Sequence, residues 1–247
     1  MKIHEVQQGS AAWLALRAAI PTASEFGNLV TPKKWEIKKG AAAESYLCEK
    51  IAAWWLGMPL QEFKSFGAVE QGTILEEEAI PHCIYDLGLE VQRIGFCTTD
   101  NGTVGCSPDG LIGETSGLEC KCCQPDTHVG YLLGGVLPEI YGPQVHGSML
   151  VTGRSEWKFL SYCRGFKDLF LTIPRDEKIQ AVLETALSDF LLRFETAKTR
   201  MIEIHGHGPT ERKQAVVPVN AAASLADLDA QEQRDFHLWP KGKEPQR

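Results

Sequence analysis

The sequence has no apolar run approaching the roughly 20 residues that a membrane-spanning helix requires, and it shows no internal repeat. It has no excess of positive charge either. The net charge is −7 and the pI is near 5.6, which argues against a broadly basic surface for nucleic acid and leaves any such contact to local patches. Lys33, Lys34, Lys38 and Lys39, crowded around Trp35, form a local basic patch that suits a DNA-facing loop, and a solvated loop explains it equally well. The opening Met1-Lys2-Ile3-His4-Glu5 lacks the apolar core of a signal peptide. With eight cysteines, the expectation is therefore reduced thiols in a cytoplasm and not a disulfide frame.

What is present is the composition of an ordinary globular protein, 43% hydrophobic and 23% charged over 247 residues, enough for one large α/β domain. That domain is expected over residues 1–203. Residues 204–247, rich in Gly, Pro, Ala and mixed charge, are expected to form a loosely packed extension, with a short helix near 221–234 and a docking point at 236–239.

The chain is organised around Cys106-Ser107-Pro108-Asp109-Gly110-Leu111-Ile112 and Gly117-Leu118-Glu119-Cys120-Lys121-Cys122. Turn residues between the two stretches and apolar/charged alternation in the second predict a hairpin. The period of a strand places Glu119 and Lys121 on one face and Leu118, Cys120 and Cys122 on the other, with Asp109 within reach of the charged face. Two carboxylates converging at a buried sheet edge are costly unless a cation joins them. The oxygens of Asp109 and Glu119, with the Cys120 carbonyl between them, suit Mg²⁺, for which Mn²⁺ could substitute. Lys121 would then orient or deprotonate a water attacking a phosphodiester. A solvated strand face beside a plain turn explains the same short pattern.

In chain order, a short helix is expected over 9–16, interrupted at Ile20-Pro21, and Thr22-x-x-Glu25 has the form of a capping box opening a second helix to Leu29. Arg17 and Ser24 lie near that opening, where free N–H groups favour an anion. Helices are expected over 41–56 and from Gly72, the latter kinked or broken by Pro81. A strand is expected over 89–98, an irregular segment over 124–135, and a helix over about 138–151. Strands over 156–163 and 168–173 and a long amphipathic helix over 175–201 complete the pattern.

Trp13-x-x-Leu16-Arg17, Thr22-Ala23-Ser24-Glu25, Gly72-x-x-x-Glu76, the two central stretches, Leu133-Gly134-Gly135 and Gln144-Val145-His146-Gly147-Ser148-Met149 fall in the order and spacing of one family. Through them the chain resembles the phage lambda exonuclease family, the viral-recombinase alkaline exonucleases of the restriction-endonuclease-like superfamily. The resemblance implies a restriction-endonuclease-like α/β core, a central mixed sheet flanked by helices. It also implies a 5′–3′ exonuclease that degrades one strand of linear double-stranded DNA to 5′ mononucleotides and leaves a 3′ overhang for recombination. Glu76 would join the metal set, and Arg17, Ser24 and Ser107 would bind the terminal 5′-phosphate. Gln144 and His146 would hold a phosphate oxygen, and the apolar stretch before Gly72, with Val69 foremost, would be the strand-separating wedge. A homotrimeric ring, processive action, a single-strand annealing protein as partner and a bacterial host with a phage or prophage source are implied in the same way.

The pattern departs from the family twice. No Arg or Lys occurs in residues 124–135, where a second phosphate-binding Arg is expected, so His128 is the candidate substitute. His146 stands where a Gln would be expected. A zinc site drawing on Cys120, Cys122 and Cys123, with Cys97, Cys106 and His128 nearby, is the competing metal reading, against which strand-face cysteines behave as small apolar residues. An endonuclease of the same core and a non-catalytic DNA-end-binding scaffold are the alternative functions.

Overall fold

The hairpin signals in the sequence produce strands, and those strands assemble into two sheets. The computed structural model describes residues 1–58, 60 and 78–209. The smaller sheet holds β1 (Lys2–His4), β3 (Phe96–Thr98) and β4 (Gly105–Cys106) in the order β1-β3-β4. The larger holds β2 (Val91–Gln92), β5 (Gly110–Ile112), β6 (Ser116–Cys122), β7 (Glu156–Tyr162) and β8 (Leu169–Pro174) in the order β2-β5-β6-β7-β8. Among the described strands β6 and β7 alone pair in parallel, with Glu119 opposite Phe159. A parallel pair needs a crossover, supplied here by α4 (Pro125–Gly134), a 3-10 turn (Glu139–Tyr141) and α5 (Gly142–Thr152).

The remaining helices are α1 (Ala11–Ala18), a 3-10 helix (Ala23–Asn28), α2 (Ala41–Leu56), helical residues 78–85 (α3) and α6 (Glu177–His205). Helix α6 starts where Asp176 accepts hydrogen bonds from the N–H groups of Lys178 and Ile179 at 2.8 and 3.3 Å. Its stripe of Leu183, Ala186, Leu187, Phe190 and Phe194 is buried against α2, where the Tyr46 and Phe190 rings lie 5.1 Å apart. A second cluster packs Leu111, Val145, Met149, Trp157 and Phe159 between α5 and the larger sheet. A third joins Ala79, Ile80 and Cys83 of α3 to Leu118, Cys120 and Leu160.

Three expectations change. The strand foreseen over 89–98 is two strands in different sheets, because the chain turns between β2 and β3 at Gly95. A side chain there would lie 1.6 Å from the Val6 carbonyl oxygen. The segment 124–135 is helix α4: Pro125 at its start and Gly135, with φ of 62°, at its end are helix boundary signals and not signs of irregularity. Pro81 does not end α3: it lies in the first described turn of a helix that runs on to residue 85, with Ala79, Ile80 and Cys83 buried against the larger sheet. The capping box foreseen at Thr22 is present and opens a helix of the 3-10 kind, with the Glu25 carboxylate accepting the Thr22 N–H at 3.0 Å. Glu76, Val69 and the features foreseen within 221–239 lie outside the described residues. Among the described residues no helix is long and apolar enough to cross a membrane.

Candidate active site

Asp109 sits where the chain leaves β4 in one sheet and enters β5 in the other. Its N–H donates to the Leu118 carbonyl at 3.1 Å, and its carboxylate accepts the Cys120 N–H at 2.6 Å. The N–H and C=O of a strand residue project to the same side, so the Cys120 carbonyl also faces the edge that Asp109 occupies. Glu119 points to the charged face of β6, with its side chain 4% exposed, and Lys121 Nζ lies 2.6 Å from Oε1 of Glu119. Gln144, near the start of α5, donates its amide to that oxygen at 2.5 Å. The Lys121 ammonium also lies 5.3 Å from the centre of the Tyr141 ring. Gln8, unmarked in the sequence, ties the assembly down by donating to the carbonyls of Pro108 at 3.0 Å and Ile94 at 3.2 Å.

Among the described residues, no three His, Cys, Asp or Glu side chains form a metal-binding group. The oxygens that this edge offers are the carboxylates of Asp109 and Glu119 and the Cys120 carbonyl. This donor set fits a hard divalent cation and not a soft one.

Next to this edge is a basic pocket. Arg17, at the end of α1, donates from one guanidinium nitrogen to Ser107 Oγ at 3.1 Å and from the other to Ser24 Oγ at 3.0 Å. The guanidinium stacks 4.5 Å over Trp13, whose indole N–H also donates to Ser107 at 3.0 Å. Burial lowers the Arg17 pKa, and Glu25, Tyr46 and Glu119 act in the opposite direction. An arginine so displaced is still charged at neutral pH. Ser107 and Asp109, two residues apart on one connection, thus join the pocket to the carboxylates.

Residues 12–155 match the YqaJ-like viral recombinase domain, a span of more than half the chain. The chain belongs to the YqaJ-like viral recombinase family. A search of curated proteins found no match. Among solved structures, this YqaJ-like chain is similar to the alkaline exonuclease LHK-Exo from Laribacter hongkongensis, with 27% identity, a TM-score of 0.70 and coverage of 80% of this chain and 98% of that one. The complex of LHK-Exo with dAMP gives 28% identity at the same coverage and TM-score 0.70. A phage-related exonuclease from Haemophilus somnus 129PT is alike in fold, with 13% identity, a TM-score of 0.57 and coverage of 74% of this chain and 96% of that one. The architecture is the restriction-endonuclease-like fold that the sequence resemblance implied.

Two candidates are displaced from the YqaJ-like site. His128 is fully buried on α4, with Nδ1 2.8 Å from Ser161 Oγ and Nε2 3.0 Å from the Lys167 carbonyl, so it does not replace a phosphate-binding arginine. His146 is also buried. It lies two residues from Gln144, about 200° around a helix, and meets the edge of Trp35 at 5.4 Å instead of the carboxylates. Burial lowers its pKa, so it is neutral at pH 7 and carries no charge for a phosphate. Trp35 is held at a φ of 56° against Gly142 and His146, which anchors the lysine-rich loop to the start of α5. The zinc candidates do not gather into one group among the described residues: Cys97 faces Cys106 across β3 and β4, Cys120 meets Cys83 at 3.9 Å in the core, and His128 and Cys123 meet only through Ser161.

Proposed function

We propose that the protein is a Mg²⁺-dependent exonuclease that enters double-stranded DNA at an end, removes 5′ mononucleotides and leaves a 3′ single strand for recombination. The observation that carries this reading is the adjacency of the Arg17, Ser24 and Ser107 pocket to the Asp109, Glu119 and Lys121 edge. An anion pocket for a chain end beside a hydrolytic edge suits a nuclease working from ends. Kinship with alkaline exonucleases supports the same reading.

Asp109, Glu119 and the Cys120 carbonyl would hold the cation, with Glu76 completing the set and Mn²⁺ able to substitute. Bound there, Mg²⁺ supplies Lewis-acid stabilisation to phosphodiester oxygens. Lys121 holds Glu119 in place and positions the attacking water. Gln144 fixes the second donor contact to Glu119. Arg17, with Ser24 and Ser107, takes the terminal 5′-phosphate through charge-assisted hydrogen bonds. Val69 would part the strands. A homotrimeric ring, a single-strand annealing partner and a place in the cytoplasm of a bacterial host, from a phage or prophage source, complete the proposal on the strength of family membership.

Linear and closed circular plasmid incubated with the protein, with and without Mg²⁺, test it. Loss of the linear form alone, and only with Mg²⁺, is expected. Cutting of the circle would replace the reading with an endonuclease, and inertness towards both would make the protein a DNA-end-binding scaffold.

A further inference from the structure

Beneath Arg17 lies a cation that the chemistry above does not use. Lys50, on α2, is 3% exposed, and a lysine buried to that degree needs a partner. Its Nζ lies 3.2 Å from Oε2 of Glu25 and donates to the backbone carbonyl of Arg17 at 2.8 Å. Oε2 of Glu25 also accepts the Tyr46 hydroxyl at 3.1 Å and both the N–H and the hydroxyl of Thr22 at 3.0 Å. The Thr22 hydroxyl is 3.3 Å from Ser24 Oγ, which receives the Arg17 guanidinium. The contacts form a closed circuit. It leaves Lys50, passes through Glu25, Thr22 and Ser24 to the head of Arg17, and returns through the Arg17 carbonyl.

We propose that Lys50 and Glu25 are a positioning pair that aims Arg17 and Ser24 at the terminal phosphate and so sets selectivity for 5′-phosphorylated ends. This rests on the phosphate-pocket reading given above. A purely structural contact among α1, α2 and the 3-10 helix would not need charges, since apolar residues of similar volume replace buried ion pairs without loss in many folds. Here the ammonium is directed at the main chain of Arg17 itself. The carboxylate serves a second purpose, because it offsets one of two neighbouring cations and leaves the group with net positive charge towards an incoming anion. Burial lowers the Lys50 pKa while Glu25 acts to raise it, and burial together with Glu25 keeps the Tyr46 hydroxyl protonated as a donor.

The test compares digestion of linear duplex bearing 5′-phosphate with the same duplex bearing 5′-hydroxyl, using the full chain with Mg²⁺. The wild type is expected to prefer phosphate by about tenfold, the worth of one hydrogen bond to a charged group, and Arg17→Ala sets the floor of that ratio. Lys50→Met is expected to bring the ratio to within about twofold of the floor, with the loss in KM for phosphorylated ends and little change in kcat. Lys50→Arg is expected to restore part of the ratio. A folded Lys50→Met that keeps the wild-type ratio, or slows both ends equally, overturns the inference and leaves the phosphate pocket standing. Should Lys50→Met fail to fold, Glu25→Gln and Tyr46→Phe, both near-isosteric, decide by the same ratio. A wild type indifferent to the two ends overturns the pocket reading and this inference together.

Discussion

The side-chain amide of Gln144 donates to Oε1 of Glu119 at 2.5 Å, so the first turn of α5 is fastened to the carboxylate face of β6. The contact makes Gln144 a partner of the candidate metal ligand. Gln144→Leu keeps the approximate volume and removes the donor. The expected result is a rise in the Mg²⁺ concentration needed for half-maximal rate and a loss of about tenfold in activity at limiting Mg²⁺, the worth of one hydrogen bond to a charged group. A Mg²⁺ titration identical to the wild type would remove Gln144 from the site.

Asp109→Ala and Glu119→Ala are each expected to abolish Mg²⁺-dependent digestion, and a mutant that still digests linear duplex with Mg²⁺ would remove its residue from the metal set. Lys121→Ala is expected to slow digestion by about 10² to 10⁴, the usual worth of a positioned acid–base group. A loss below tenfold would make Lys121 structural.

His82 links α3 to the turn before β8. Its two ring nitrogens lie 2.7 Å from Asp86 and 2.6 Å from Asp168, while Tyr162 packs against the ring at 5.2 Å. The Asp168 hydrogen bond raises its pKa, opposed by burial and reinforced by Asp86. The fold thus favours the imidazolium. The stabilisation is complete below the unfolded histidine pKa of about 6.5 and is lost as pH rises through the higher folded value. The melting-temperature gap between the wild type and His82→Gln should therefore be widest near pH 5.5 and narrow towards pH 9. A gap that widens with pH would refute the assignment.

Gly117 lies directly beneath the fully buried Trp157 ring, where an added methyl would stand 2.3 Å from ring carbons. Neither strand can yield, because β6 and β7 pair along their whole length. Gly117→Ala is expected to destabilise the protein by about 1–3 kcal/mol, as overpacking of a filled core does. Chemical denaturation monitored by tryptophan fluorescence would measure it, and an unchanged midpoint would show that Trp157 has room to move.

Local signals were the legible ones. The hairpin bearing Asp109, Glu119 and Lys121 announced itself through alternation and turn residues, and α6 through its apolar stripe, because both depend on neighbours in sequence. The link from Arg17 to Ser107 spans 90 positions and was reached through family resemblance, since no spacing rule predicts it. Gln8 and its contact with Pro108, 100 positions away, carried no signal at all. Lys50 did carry one, a charge on the same helical face as Tyr46, four residues earlier. His128 and His146 misled because a histidine's identity does not reveal whether it is buried. For His146, helical geometry would have placed it opposite Gln144.

With a terminal phosphate bound at Ser107 as proposed, the connection between the two sheets would act as a ruler. Ser107 and Asp109 lie two positions apart, with Pro108 between them, so their α-carbons lie at most about 7 Å apart however the chain is drawn out. The backbone N–H of Asp109 is pinned to Leu118, and the carbonyl before it to Gln8, so the interval cannot stretch. A chain end held at Ser107 therefore presents to Asp109 only the bonds within a short, fixed reach of that end. The unit removed in each cycle would then be set by a length of polypeptide, independent of base identity, and the enzyme would need no sequence-reading element to cut in even steps.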